Sequence, residues 1–201
     1  MEKQLTERIS YIPSIDEPLS ADVLIVRGDK STYIYDVGNN DEVTKYLNSL
    51  PGDKHVILSH FHEDHTGKIN ETDYASLYVG NQTYKSLGVG IVVTEQITIE
   101  DGVKIDIIPC PSCHAKGCLV LMIDDTYIAT GDTTYAVYKN DATVYNVSLL
   151  NEEILKLESL PATKYFLSHR DGRFLSKELI LRQLKGVYVK RKPSEAYIEI
   201  K

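Results

Sequence analysis

The sequence predicts a layered α/β sandwich folded as a single domain over residues 1–201. Short apolar strand runs separated by turn dipeptides fill the first two thirds, and helical segments fall between and after them. No low-complexity tract or repeat is visible. A chain of 201 residues suits one compact domain, and 42% hydrophobic residues supply a core without disulfides.

The elements follow in order. Val23-Leu24-Ile25-Val26 is a continuous apolar run, and the turn residues Gly28-Asp29-Lys30 join it to Tyr33-Ile34-Tyr35 as a hairpin. Asp41 to Leu50 reads as a helix stopped by Pro51. Val56-Ile57-Leu58 is a buried strand, and Asn81 to Leu87 is a helix ending at Gly88. Ile97 and Ile99 alternate before Asp101-Gly102, as Val103, Ile105 and Ile107 do after it, which predicts a hairpin. Leu119 to Ile123 and Tyr127 to Ala129 flank Asp124-Asp125 similarly. Asn151 is expected to cap a helix with Glu152 and Glu153 in its first turn, where carboxylates suit the helix dipole. Tyr165 to Leu167 is a strand. Ser176 caps a last helix carrying Ile180, Leu184 and Val187 on one face, with Gly186 near its end.

The net charge of −7 and a sequence pI near 5.4 argue against a general nucleic-acid binder. The basic run Lys190-Arg191-Lys192 is short and reads as solvated surface. No stretch approaches the roughly 20 apolar residues of a membrane span, and the N-terminus lacks the apolar core of a signal peptide. Three cysteines, clustered as Cys110, Cys113 and Cys118, make a poor disulfide framework. The expectation is a cytoplasmic protein acting on a small-molecule substrate, its oligomeric state open.

Five of the six histidines belong to one pattern. His60-Phe61-His62-Glu63-Asp64-His65 follows directly on a strand. On an extended end His60 and His62 point the same way, because the side-chain period is two. A turn into helix at Asp64 would then aim Asp64 and His65 at the same cavity. Imidazole and carboxylate suit zinc, iron or manganese. Four such ligands crowd a single ion and invite two ions sharing a ligand. His114, Asp132 and His169 complete the candidates, each at or after the C-terminal end of a strand, where α/β sheets place ligands. His55 stands outside the pattern and reads as structural.

This constellation, in this order, resembles the metallo-β-lactamase fold superfamily. The early turn Asp36-Val37-Gly38 resembles that superfamily's Asp-x-Gly turn, and the similarity spans roughly residues 20–170. The resemblance implies an αββα four-layer sandwich with metals at one edge. It implies that His60, His62 and His114 hold one metal, that Asp64, His65 and His169 hold a second, and that Asp132 bridges them. The implied cofactor is two divalent ions, zinc first, with iron or manganese also compatible.

The implied chemistry is hydrolysis of an ester, thioester or phosphodiester by a metal-activated hydroxide, with Asp64 as catalytic carboxylate. Members similar to glyoxalase II add a C-terminal helical domain, and only about 32 residues follow His169, so a minimal hydrolase is expected. Arg170 and Lys116 flank two ligands and are candidates to pair with an anionic substrate group. Tyr135 and Tyr138 are weaker candidates for the mouth. Cys113 precedes His114 where many relatives have glycine; buried packing, a redox pair and an extra soft ligand are all open for the three thiols. Two alternatives stand beside hydrolysis. One is an iron-dependent oxidoreductase of the same fold, against which His62 counts, because the diiron type carries Glu there. The other is a non-catalytic metal-binding module.

Overall fold

The computed structural model describes residues 1–170 and 172–200. Among these residues two main sheets hold seven and six strands. The first sheet runs Lys3–Gln4, Ile9–Ile12, Val23–Arg27, Ser31–Tyr35, Asp53–Ile57, Ser76–Val79 and Ile91–Val92. Its first four strands are antiparallel, and from Ser31–Tyr35 onward the pairs are parallel. The second runs Ile97–Glu100, Lys104–Cys110, Cys118–Ile123, Tyr127–Ala129, Lys164–Phe166 and Leu175–Ser176. Only Tyr127–Ala129 with Lys164–Phe166 is parallel there.

The continuous apolar runs have a simple cause: both faces of each sheet are covered. Leu24, Val26, Tyr33, Tyr35 and Ile57 face inward onto Ile105, Ile107, Leu119, Leu121 and Phe166 of the other sheet. Their alternates Val23, Ile25, Ile34, Val56 and Leu58 face outward onto Leu47 of helix α1 (Asp41–Ser49). On the far side Ile108, Val120, Met122 and Tyr165 pack under α4 (Val147–Ser159) and α5 (Lys177–Tyr188), through Leu150, Ile154, Leu157, Ile180 and Leu184. The layers are therefore helix, sheet, sheet, helix. Truncating a fully buried residue such as Leu121 or Leu157 to alanine costs about 2–5 kcal/mol.

The three hairpins anticipated from the sequence all form. Asn40 caps α1, its side chain accepting from the Glu42 and Val43 amides, and the next full helix, α3 (Asn81–Leu87), closes on Gly88 at φ +74°. Ser176 caps α5 as expected.

Helix α4 corrects the expectation. Its cap is Asn146, which accepts from the Leu149 amide, so Asn151 lies inside the helix and Glu152 and Glu153 fall beyond the first turn. The reason is that strand Ala142–Asn146 runs straight into the helix. Leu150, Glu153, Ile154 and Leu157 form the helix's buried face. Sequence reading also passed over a third sheet, Val137–Lys139, Ala142–Asn146 and Tyr197–Ile200. Lys190, Arg191 and Lys192 are exposed, as expected, on the way to its last strand. No helix among the described residues is long and apolar enough to cross a membrane.

Candidate metal centre

His60 lies three residues beyond strand Asp53–Ile57 and is fully buried. His62 has extended backbone and forms the N-cap of the short helix α2 (Glu63–Thr66), whose second and third residues are Asp64 and His65. The carbonyl of His65 accepts from the amides of Val37 and Gly38, and that of Asp64 from Ala21, so the helix is pinned to the turn after the second hairpin strand. Gly38 has φ +70°, and a Cβ there would strike Ser20 Oγ.

Asp36 explains the Asp-x-Gly turn. It sits at φ +63°, its Oδ1 accepts from the Ser59 amide at 2.7 Å, and its Oδ2 meets His65 Nδ1 at 2.8 Å. With the Nδ1 hydrogen donated to Asp36, His65 Nε2 turns toward Asp64 and Asp132, 3.4 Å from an oxygen of each. Burial opposes a charge on His65, but Asp36 and then Asp132 outweigh it and push its pKa up to about 10. The place between His65 and Asp132 therefore favours positive charge.

The side chains gather in two clusters: His60, His62 and His114, and then Asp64, His65, Asp132 and His169. In the first, His62 Nδ1 is 2.9 Å from His60 Nε2 and 3.1 Å from His114 Nε2. His114 donates its other ring hydrogen to the Ala136 carbonyl at 3.2 Å, which leaves its Nε2 as a lone-pair donor. Burial, then the neighbouring imidazoles, hold His60 far below the ordinary histidine pKa, and burial and His114 lower His62. In the second cluster His169 Nε2 is 3.0 Å from Asp64 Oδ2, and this bond raises the His169 pKa. Burial would raise Asp64, but the bond to His169 and the charge of His65 hold it below the usual carboxylate value.

Asp132 stands between the clusters. Its Oδ2 is 3.4 Å from His114 Nε2 and from His65 Nε2, and 3.9 Å from His169 Nε2. The preceding Gly131 has φ +52°, and a Cβ there would lie 2.7 Å from Ser59 Cβ, so only glycine lets the Asp132 loop approach the His60 loop this closely.

The donors fit a pair of cations. The Nε2 of His65 and the Oδ1 of Asp132 are buried without a hydrogen-bond partner, a costly state unless another group completes them. Imidazole nitrogens around one tetrahedral zinc, at about 2.0–2.1 Å each, would lie roughly 3.3 Å apart. The observed separations of 2.9 and 3.1 Å in the triad are close to that.

Some supporting residues escaped the sequence reading. Asp22, buried at the start of a strand, accepts from the His169 amide at 2.7 Å and from the Ser14 amide at 3.1 Å, and its own amide donates to Ser168 Oγ. It thereby fixes His169 at φ +55°. Ser59 Oγ lies 2.9 Å from His60 Nδ1 and 3.3 Å from His65 Nδ1. A polar residue at the edge of an apolar run is the sole sequence signal either carries.

The remaining candidates separate. Lys116 is exposed and lines a cavity of about 410 Å³ whose wall includes His114. Arg170 is exposed in a different hollow, with Tyr135 and Gln183. Tyr135 donates to the Ser168 carbonyl at 2.5 Å and sets its ring edge-on to His114, whereas Tyr138 is 71% exposed and its hydroxyl faces Asp141. His55 stacks on Tyr33, away from the histidine clusters. The three thiols are reduced and buried. Burial pushes Cys113 and Cys118 up to about 12, so both are neutral packing groups.

No protein-family model and no curated protein sequence matches the chain. Solved structures do. An archaeal metallo-β-lactamase superfamily protein from Sulfolobus tokodaii aligns at TM-score 0.64 and 19% identity over 94% of this chain and 90% of its own. A metallo-β-lactamase from Pontibacter korlensis aligns at TM-score 0.68 and 14% identity over 96% and 99%. A variant of the flavo-di-iron protein from Thermotoga maritima aligns at TM-score 0.67 and 15% identity over 96% of this chain. The chain spans 64% of that last protein's length.

Proposed function

We propose that this chain, which has the metallo-β-lactamase fold, is a metal-dependent hydrolase of a small ester, thioester or phosphodiester. One observation carries the reading: seven imidazole and carboxylate side chains form two adjoining donor clusters with Asp132 between them, and two of the buried donor atoms lack any other partner. His60, His62 and His114 would hold one divalent ion and Asp64, His65 and His169 the other, with Asp132 shared. Such a pair supplies Lewis acidity and a water of lowered pKa, which suits hydrolysis at neutral pH.

The protein's own groups prepare this chemistry. Asp36 fixes the tautomer and angle of His65, the Ala136 carbonyl does the same for His114, and Asp22 holds the His169 backbone. Asp64, kept ionised and hydrogen-bonded to His169, would take a proton and deliver it to a leaving group. Water has access at the partly exposed His62, Asp64 and His169, while His60 and His65 are sealed.

The test is hydrolysis of aryl esters, thioesters and bis-aryl phosphodiesters by the metal-loaded protein, with His62→Ala and Asp132→Asn as controls. Turnover of one bond class, abolished in both variants, is the expected result. No turnover of any class would remove the reading. The flavo-di-iron likeness supports a second one, an iron-dependent oxidoreductase. Iron with a visible absorption band would favour it; colourless zinc protein favours hydrolysis.

A further inference from the structure

We propose that the cavity beside His114 is a subsite for an anionic group, a carboxylate or phosphate, carried on a short apolar linker of the substrate. This rests on the hydrolase reading for its purpose, but not for its geometry. The cavity of about 410 Å³ places Phe61, Ala115, Val137 and Leu149 along its walls and the cations Lys116 and Lys139 among its lining. No lining residue is acidic, in a chain whose net charge is −7. Among the described residues neither lysine belongs to an ion pair.

One of the two cations, Lys139, comes from an element outside the metal-holding loops. Lys139 ends strand Val137–Lys139, and its Nζ donates to the Tyr197 hydroxyl at 2.5 Å while lying 4.3 Å from that ring's centroid. Tyr197 opens the strand Tyr197–Ile200, which pairs with Ala142–Asn146, so the third sheet serves to carry this end of the cavity. Hydrogen bonding to Lys139 and then that lysine's charge draw the Tyr197 pKa down, with Asn146 and Lys116 adding less, and Lys116, Lys139 and Tyr197 all line the one cavity. Lys116 comes from the loop between strands Lys104–Cys110 and Cys118–Ile123, two residues after His114. An anion seated among these groups gains two ammonium partners and a phenol donor, and its linker runs along Phe61 and Val137 back toward His114. The leaving or acyl group is thereby expected to be negatively charged at its far end.

Binding is measured first on metal-free protein, by NMR titration with 4-phenylbutyrate, phenyl phosphate and neutral 4-phenylbutyramide at low salt. Both anions are expected to bind about 10-fold more tightly than the amide, and the Lys116→Gln/Lys139→Gln double variant to lose the difference. The preferred anion identifies carboxylate or phosphate. Equal affinity for acid and amide, or a preference that survives in the double variant, would overturn the proposal. On metal-loaded protein, paired aryl esters with charged and neutral acyl ends then separate the two claims. Hydrolysis of both esters with equal KM sinks the subsite and spares the hydrolase. Lysine-dependent anion binding with no turnover sinks the hydrolase and spares the subsite.

Discussion

Nδ1 of His65 lies 2.8 Å from Oδ2 of Asp36, and both side chains are sealed from solvent. The turn that begins at Asp36 thus acts on the candidate metal centre without belonging to it. Asp36 also accepts the Ser59 amide, which ties the loop leading into His60 to the same carboxylate. A single side chain orients one donor in each cluster's neighbourhood.

Asp36→Asn keeps the size and tolerates the positive φ, but replaces an anion with an amide. Metal affinity at the second cluster is expected to fall about 10–100-fold, the usual effect of losing a carboxylate behind a ligating histidine. Competition titration with a chromophoric chelator measures it. Unchanged affinity would show that His65 is held by packing alone.

Metal removal should loosen the fold. Binding to the native state alone stabilises by about 2.7 kcal/mol at 100 times the dissociation constant. For a chain of 201 residues that corresponds to a melting temperature roughly 5–10 °C higher with metal than after dialysis against chelator. Differential scanning calorimetry with and without zinc would show this shift, and an absent shift would weigh against ions bridging these loops.

Gly131→Ala should be disproportionately harmful. The new methyl meets Ser59, and φ +52° is strained for alanine. A loss of about 1–3 kcal/mol is expected, with loss of metal as Asp132 is displaced. Chemical denaturation and metal analysis of one sample test both halves together. A stable variant retaining its metal would refute the close-approach argument.

Glu153 supplies a pH dependence. It is buried with both carboxyl oxygens unpartnered, and burial raises its pKa well above the usual value. A folded-state pKa above the unfolded one means the native state binds the proton more tightly. Its contribution is therefore full below about pH 4.5 and is lost as pH rises toward the folded value. Glu153→Gln should flatten that decline and gain on the order of 1–3 kcal/mol near pH 8 relative to pH 4.5. Melting curves across that range decide it; parallel profiles for the two proteins would contradict it.

Much of the site was legible because its signal is local. His60 to His65 is one short segment at a strand end, and no structural role demands that spacing of imidazole and carboxylate. The hairpins were legible too, since Asp101-Gly102 and the alternation around it encode register directly. Asp22 and Ser59 were not, because what they do depends on partners far along the chain: Asp22 reaches an amide 147 residues away. The start of α4 was misplaced because two asparagines, Asn146 and Asn151, offer equally good caps. Only the strand pairing of Ala142–Asn146 selects the first. The third sheet was missed because its last strand closes a pairing across more than fifty residues, which no local pattern reveals.

The central claim is that two ions share this site through Asp132. Saturating metal content, measured by mass spectrometry on protein equilibrated with zinc and desalted, tests it most directly. About two equivalents per chain are predicted for the native sequence, with about one for His65→Ala as the Asp64, His65 and His169 cluster empties. A plateau at one equivalent or fewer for the native chain, or an undiminished content in His65→Ala, would contradict the account.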